Sequence, residues 1–303
     1  MYKYDLHVHS SDSDGKYSKV DLLEKARENN IEVIAFCDHN SCENMNPRII
    51  KQEYLEKYGM NSETLIIPAI EISAGSDTYR GIHILGYGIK DIGLIKSKIH
   101  EIDRQNEEML FLQIDLIREK YGIPITVEQV KELSKSEHIT SKDIESTLLS
   151  LGYISKKSDM YKYTNKDSLS HIQKVKISDT EAIKIINEAG GIAVLAHPIE
   201  IKEKNSGNKL GYGEDYINYL KYLKSAGLSG VETHTVKHTE YEQAMYYKGA
   251  KGLNLLTTAG SDFHDEERTP VFGVDYEPTE FLKPILECLK EREKNKYEEY
   301  SRD

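Results

Sequence analysis

The chain has 303 residues, enough for one large domain or two ordinary ones, which excludes a small scaffold held together by disulfides. Lys and Arg number 40 against 51 Asp and Glu, and the net charge of -11 argues against a protein that coats nucleic acid or an anionic membrane. With 38% hydrophobic and 30% charged residues the composition is typical of a soluble globular protein, and no apolar run reaches the ~18–20 residues needed to span a bilayer.

The first residues and the cysteines indicate a reducing compartment. Residues 1–5 lack the apolar stretch of a secretory signal. Cys37, Cys42 and Cys288 form neither an even set nor a CxxC pair, so disulfides are not expected. We therefore expect a cytoplasmic protein.

Seven short apolar runs predict buried strands, and they are followed by helical periodicity rather than by hairpin turns, which is typical of parallel strands. The runs cover residues 4–8, 32–37, 65–70, 82–87, 192–196, 230–233 and 255–259. Helices are predicted over 19–29, 47–58, 180–189, 216–226 and 240–251. This alternation predicts an α/β fold, either a closed (β/α) barrel or a doubly wound sheet.

The stretch between the fourth and fifth predicted strands lacks this alternation. Its pattern predicts a long amphipathic helix over 95–121, a turn at Gly122-Ile123-Pro124, and shorter helices around 127–133 and 142–149. We expect an inserted, mainly helical subdomain over residues 89–191, with the catalytic barrel formed by residues 1–88 and 192–303. A charged helix with a solvated face is predicted over 281–299.

Imidazole and carboxylate groups lie at or near the predicted carboxyl end of every strand. They are His7, His9, Asp38, His39, Glu71, His83, His197, His234, Asp262 and His264. Any one of them alone would more often be an ordinary hydrogen-bonded side chain. In an α/β barrel, however, strand ends converge on one face, and so many buried charges are costly unless a cation lies between them. The alternation His7-Val8-His9 also points both imidazoles to one side, so the pattern predicts a site for divalent ions.

The strand ends carry six motifs in a fixed order: DLHVHSSDSDG from Asp5, FCDHN from Phe36, PAIEIS from Pro68, GIHILGY from Gly81, AVLAHP from Ala193 and GSDFH from Gly260. In order and separation they resemble the motifs of the polymerase and histidinol phosphatase (PHP) family of metal-dependent phosphoesterases. The resemblance implies a distorted seven-stranded (β/α) barrel that binds two or three divalent ions.

Carried over position by position, the resemblance implies nine metal ligands, with Glu71 as the bridging carboxylate. They are His7, His9, Asp14, His39, Glu71, His83, His197, Asp262 and His264. Asp14 is implied by the resemblance alone, because an aspartate in a Ser-Asp-Ser-Asp-Gly loop is otherwise typical of a turn. Nitrogen and oxygen ligands suit Zn, Mn or Fe, and ligand type does not choose among them.

Divalent ions lower the pKa of bound water from about 15.7 toward 7 and neutralise charge on a leaving oxygen. The hypothesis is therefore that a metal-bound hydroxide hydrolyses a small phosphate ester. The inserted segment resembles that of the branch acting on small nucleotides, which implies a nucleoside monophosphate or a 3′,5′-bisphosphate as substrate. Asp262 and His234 are the candidate catalytic residues, and His234, outside the matched ligand positions, is assigned to substrate contact or proton transfer.

In that branch the insertion carries an Arg-Pro-His-like segment that helps to hold phosphate. The corresponding stretch here reads Ser136-Glu137-His138-Ile139, without the arginine. Arg80, just before His83, and Arg268, just after His264, are therefore candidate substrate-binding residues, together with His234.

Other activities stay open. The same site would serve a 5′-3′ exonuclease that trims short oligonucleotides, or a phosphatase similar to histidinol phosphatase. A metal-dependent C–N hydrolase is a more distant alternative, because a barrel with two metals does not decide whether carbon or phosphorus is attacked. The negative charge and the lack of a basic stripe argue against duplex nucleic acid as a partner, and no membrane partner is expected. The sequence does not predict an oligomeric state.

Overall fold

The computed structural model describes residues 3–135, 138–276 and 282–283. In chain order the elements are β1 (Lys3–Val8), α1 (Lys19–Glu28), β2 (Ile31–Phe36), α2 (Pro47–Tyr58), β3 (Leu65–Ala74), β4 (Tyr79–Arg80), β5 (Ile82–Tyr87), α3 (Ile92–Tyr121), α4 (Val127–Ser134), α5 (Ser141–Ser150), α6 (Tyr161–Thr164), α7 (Asp179–Glu188), β6 (Ile192–Leu195), β7 (Lys202–Glu203), α8 (Glu214–Ser225), β8 (Gly230–His234), α9 (Glu240–Gly252) and β9 (Leu256–Ala259). Short 3₁₀ turns lie at Lys157–Met160 and Pro198–Glu200. Every predicted strand is present. The helix predicted over 281–299 lies almost entirely outside the described residues.

Seven strands form one mostly parallel sheet in the order β1-β2-β3-β5-β6-β8-β9. The strands β1, β2 and β3 run parallel to one another, as do β6, β8 and β9. The fourth of the seven, β5, runs antiparallel to both of its neighbours, so the prediction of parallel strands is wrong there. Residues 75–81, which join β3 to β5, are too few for the crossover of a dozen or more residues that a parallel pair needs.

The segment after β9 lies against β1, the first strand of the sheet. His9 donates its backbone N–H to the carbonyl of Phe263 at 2.8 Å, and Val8 forms an isolated parallel bridge with Phe263. Glycine is required at position 260, because a Cβ there would lie 2.4 Å from the Cβ of His7. These contacts place the GSDFH motif beside β1. The closed barrel itself stays a prediction.

Apolar residues cover both faces of the strands, as expected for a buried parallel sheet. On one face, alternate residues of successive strands pack into a single cluster that includes Leu6, Val33, Leu85 and Val194. On the other face, apolar residues of β1 and β2 pack against α1 and α2 in a second cluster. No helix in the described part of the chain combines the length and the apolar character needed to cross a membrane.

The chain divides into two compact units, Met1–Lys96 with Ile177–Asp303, and Ser97–Lys176. Within the second unit, apolar side chains from α3, α4 and α5 form a core of their own. The inserted subdomain with bounds at 89 and 191 stays a prediction.

A second, smaller sheet was not predicted. It consists of β4 and β7, which pair antiparallel with Tyr79 opposite Glu203 and Arg80 opposite Lys202. Two-residue strands carry no periodicity that a sequence pattern could reveal.

Candidate metal centre

The predicted ligands lie at one edge of the seven-stranded sheet. They belong to β1 or the loop that follows it (His7, His9, Asp14), to the segments after β2, β6 and β9 (His39, His197, Asp262, His264), and to β3 and β5 (Glu71, His83). His83 is the second residue of β5, at its amino end and not its carboxyl end as expected. Because β5 runs antiparallel, its amino end meets the carboxyl ends of its neighbours. His83 stays a predicted ligand, and the strand direction assumed for it is wrong.

Glu71 lies at the centre of this group and is fully buried. One carboxylate oxygen, Oε1, is 3.0 Å from Nδ1 of His83 and 3.0 Å from Nε2 of His197. The other oxygen, Oε2, is 3.1–3.3 Å from ring nitrogens of His39, His9 and His7. Imidazoles from four separate segments of the chain therefore surround a single carboxylate.

Asp262 contributes the second buried carboxylate. Its Oδ1 lies 3.1 Å from Nε2 of His9 and 3.5 Å from Nε2 of His7. Its Oδ2 accepts from the ammonium of Lys237. The backbone of Asp262 is left-handed, with φ 56°, a conformation that is uncommon outside glycine and concentrates at functional sites.

Asp14 reaches the group from the half-exposed loop after β1. Its Oδ1 is 3.3 Å from Nε2 of His264 and 3.7 Å from Nδ1 of His9. Asp38 shapes this loop, because its carboxylate accepts from the backbone N–H of Ser10 at 2.7 Å and from the hydroxyl of Ser13 at 2.8 Å.

The ligand atoms fall into four overlapping groups, in each of which they lie within 4.8 Å of one another. The groups are His9, Asp14, His39, His264; His7, His9, Asp262; His7, Glu71, His197; and His39, Glu71, His83. All nine predicted ligands occur in at least one group, and Glu71 occurs in two. A carboxylate shared by two groups is what a bridging ligand requires.

The donor atoms fit divalent ions. Within the described chain, buried atoms such as Nε2 of His7 and of His9, Nδ1 of His39, Oε2 of Glu71 and Oδ1 of Asp262 make no hydrogen bond of acceptable geometry. Each unsatisfied buried polar atom costs about 1–3 kcal/mol. Such atoms are expected to lie close together without hydrogen-bond geometry where they bind the same ion. A mixed set of imidazole and carboxylate ligands suits Zn, Mn or Fe.

The electrostatics of the group also favour bound cations. Burial by itself lowers the pKa of His7, but Glu232, Asp262 and Glu71 outweigh it and raise that pKa well above its usual range. Burial by itself raises the pKa of Glu71, yet the surrounding imidazoles bring it well below its usual range. The imidazoles therefore favour the ionised form of Glu71, and metal ions would compete with protons for those imidazoles.

Glu232 supports the group and was missed by the sequence analysis. It is fully buried in β8, where Oε1 lies 2.9 Å from Nδ1 of His7 and Oε2 accepts the backbone N–H of His197 at 2.9 Å. A carboxylate that accepts the far ring N–H of a ligand histidine fixes the ring and its tautomer. The available signal was a glutamate inside the apolar run 230–233.

Asp5 plays a similar supporting part. Its buried carboxylate accepts from the backbone N–H of Ser261 at 2.8 Å and from that of Gly273 at 2.9 Å. Burial raises its pKa to about 6, although these hydrogen bonds oppose the rise. Asp5 thereby joins β1 to the loop that carries Asp262.

The structure does not bring His234 into the group. Its Nδ1 lies 2.8 Å from the hydroxyl of Thr233, and its ring packs on Tyr276, 4.8 Å between centroids, and Tyr247, 6.3 Å between centroids. Burial and then the neighbouring His238 lower its pKa.

Arg268 lies beside the predicted ligands, and Arg80 makes no described contact with them. Nη1 of Arg268 donates to both the carbonyl and the carboxylate of Asp14, each at 3.1 Å. Arg80 lines a cleft of about 670 Å³ whose other lining residues are Gly81, Ile199, Glu200, Lys202, Lys209 and Lys237. In the stretch expected to hold phosphate, residues 136–137 lie outside the described residues, and His138 pairs with Glu107 at 3.1 Å.

The family model described as the PHP domain matches residues 5–290. A 5′-3′ exoribonuclease of Haemophilus influenzae is 28% identical over 263 residues, which are 86% of this chain and 90% of the relative. A phosphoribosyl 1,2-cyclic phosphate 1,2-diphosphodiesterase of Eggerthella lenta is 28% identical over 277 residues, 89% of this chain and 97% of the relative.

Two solved structures show the same fold. An amidohydrolase from Chromobacterium violaceum with bound sulfate superposes with a TM-score of 0.61 at 21% identity, covering 91% of this chain and 92% of its own. A Bifidobacterium adolescentis protein assigned as a metal-dependent phosphoesterase superposes with a TM-score of 0.58 at 22% identity, covering 86% and 87%.

Proposed function

Because this chain belongs to the PHP domain family and is a metal-dependent phosphoester hydrolase, we propose that it removes phosphate from a small nucleotide. The substrate class is a nucleoside monophosphate or a 3′,5′-bisphosphate. The observation that carries the proposal is the convergence of nine imidazole and carboxylate side chains in four overlapping groups, two of which share Glu71. The metal dependence and the phosphoester chemistry follow from the family, and the nucleotide is the step beyond it.

The nine residues would hold two or three divalent ions, with Glu71 common to two of the groups. When bound, divalent ions lower the pKa of water toward about 7 and neutralise charge on phosphoryl oxygens. The chain positions the ligands for this. Because a carboxylate only accepts, His7 donates its Nδ1–H to Glu232, and its Nε2, which faces Glu71 and Asp262, would give up its proton and offer a lone pair when an ion is bound.

Charged side chains at the rim would bind the substrate. The guanidinium of Arg268 is 56% exposed and lies against Asp14, so it can donate to a phosphate oxygen while it orients that predicted ligand. His234 ends β8 close to this edge of the sheet, and its proposed part is substrate contact or proton transfer. A fall in kcat for His234→Ala with unchanged metal content would support that part, and unchanged kcat would remove it.

A second candidate is a 5′-3′ exonuclease acting on short oligonucleotides. The observation in its favour is the likeness over 86% of this chain to a protein named as a 5′-3′ exoribonuclease. The bond broken is again a phosphoester, so the same centre would serve either substrate. A C–N hydrolase is not proposed, because the chain is a phosphoester hydrolase.

The test is phosphate release by protein loaded in turn with Zn, Mn or Fe. Substrates are nucleoside monophosphates, 3′,5′-bisphosphates, histidinol phosphate and a short 5′-phosphorylated RNA. We expect the protein to release phosphate from the nucleotides, and we expect a chelator to abolish this release. Release only from histidinol phosphate, or from none of the four, would overturn the proposal. Fewer than two divalent ions per chain after reconstitution would contradict the metal centre.

A further inference from the structure

Three cationic residues lie side by side in a row, two in the small sheet and one paired to its edge. Arg80 lies directly opposite Lys202 in the antiparallel pair of β4 and β7, and Lys202 in turn forms an antiparallel bridge with Lys209. Directly opposite residues project their side chains to the same side of a sheet, where like charges are destabilising. All three residues are exposed, and none forms an ion pair with a carboxylate of the described chain. Although the protein has 51 acidic residues, none of those described pairs with this row, so an anion bound from outside would relieve the repulsion among the three cations.

The row faces a cleft that reaches the metal centre. The cleft is lined by four cationic residues, Arg80, Lys202, Lys209 and Lys237, and by one acidic residue, Glu200. Nζ of Lys237 is 2.8 Å from Glu200 and also contacts Oδ2 of Asp262. The volume of about 670 Å³ lies within the usual range of small-molecule sites, about 300–1,000 Å³.

The backbone holds the row next to the centre. Gly81 follows β4 with φ 72°, and a Cβ on it would lie 2.8 Å from the carbonyl oxygen of Glu200. The end of β4 is therefore pressed against the turn Pro198–Glu200. On the other side of that turn, Oε2 of Glu200 lies 3.3 Å from Nδ1 of His197, whose Nε2 reaches Glu71.

We propose that this cleft binds a phosphate of the substrate other than the one that is hydrolysed. The inference rests on the proposed function, since the reacting phosphate is taken to lie at the metal centre. Lys237 lies at the near end of the cleft, and Arg80, Lys202 and Lys209 bind the distal phosphate. The ligand is a nucleotide with at least two separated phosphates, either a 3′,5′-bisphosphate or the first linkages of a short oligonucleotide. A nucleoside monophosphate has no second group to reach the row.

The test compares Lys202→Gln/Lys209→Gln with the control Lys221→Gln/Lys248→Gln. The control removes the same charge from exposed positions of α8 and α9 that do not line the cleft. We expect the cleft variant to lose about tenfold or more in kcat/KM on a substrate with two phosphates, mainly through KM, by loss of two phosphate contacts. On a nucleoside monophosphate it should match the control. A loss confined to the bisphosphate identifies a mononucleotide ligand, and a loss on a 5′-phosphorylated trinucleotide identifies a nucleic-acid backbone.

Binding is measured separately with a fluorescent trinucleotide whose linkages are phosphorothioates. In the cleft variant, the slope of log affinity against log salt should become shallower by about 1.4, because each phosphate contact to a single strand contributes about 0.7. The inference would be overturned if the cleft variant lost equal kcat/KM on the monophosphate and the bisphosphate. It would also be overturned if the cleft variant lost no more than the control on both the bisphosphate and the trinucleotide. Absence of turnover by the wild type on every nucleotide would overturn the proposed function instead, and the binding assay would still decide the cleft.

Discussion

The Glu232→Gln substitution is expected to weaken metal binding although it changes no ligand. The carboxylate is fully buried and accepts twice, from Nδ1–H of His7 and from the backbone N–H of His197, each at 2.9 Å. Glutamine has the same shape but one oxygen and one NH₂. If its oxygen faces His7, its NH₂ meets the N–H of His197, and two donors oppose each other. If it turns over, its NH₂ faces Nδ1 of His7 and drives the ring proton to Nε2, the atom that faces the metal centre.

Either orientation therefore costs a buried hydrogen bond, and one orientation also blocks a ligand atom. Loss of an outer-shell partner of this kind costs about 10–100-fold in metal affinity, which is about 1.4–2.8 kcal/mol. The assay is competition with a chelator of known affinity, followed by metal analysis. Glu188→Gln, which alters an exposed glutamate of α7, is the matched control.

Folding must be checked in the same preparation. We expect Glu232→Gln to give a cooperative thermal transition without metal, and a smaller rise in Tm than wild type when metal is added, since binding stabilises the native state in proportion to affinity. Metal affinity equal to that of the control in a folded Glu232→Gln protein would refute the argument that Glu232 sets the tautomer of His7.

Three further outcomes are expected. Asp262→Ala should lower kcat by at least ~10²-fold through loss of metal catalysis, and near-wild-type turnover with two metals bound would remove Asp262 from the ligands. Gly260→Ala should lower the free energy of unfolding by about 1–3 kcal/mol or more, because its Cβ would lie 2.4 Å from that of His7; urea unfolding with an unchanged midpoint would contradict this. Hydrogen bonds from Lys57, and then from Ser18, lower the pKa of Asp21 to about 2 from 3.8. A carboxyl group whose pKa is lower in the folded state than in the unfolded state stabilises the fold at pH values above the unfolded-state pKa, and this stabilisation is lost as the pH falls through the folded-state pKa. The Tm of Asp21→Asn should therefore lie below that of wild type at pH 6 and converge with it near pH 2. A constant difference in Tm would show that the charge is not responsible.

The prediction of the centre rests mostly on local signals in the sequence. The alternation in His7-Val8-His9 and the apolar runs before His39 and His197 depend only on nearby residues, and they place each ligand at a strand end. Asp14 needed the motif resemblance, since its loop has no periodicity. His83 shows the limit of strand-end reasoning, because a run of apolar residues does not record the direction of its strand.

The strands, the order of the motifs and the imidazole and carboxylate character of the candidate centre can be predicted from the sequence, since apolar alternation and residue type are written along the chain. Which groups meet is seen only in the folded chain: Glu71 lies among five imidazoles, Glu232 lies behind His7, and the cations of β4 and β7 lie opposite one another. Such pairings join residues far apart in the chain. Their energies depend on distance and burial in the folded protein, which no local pattern encodes.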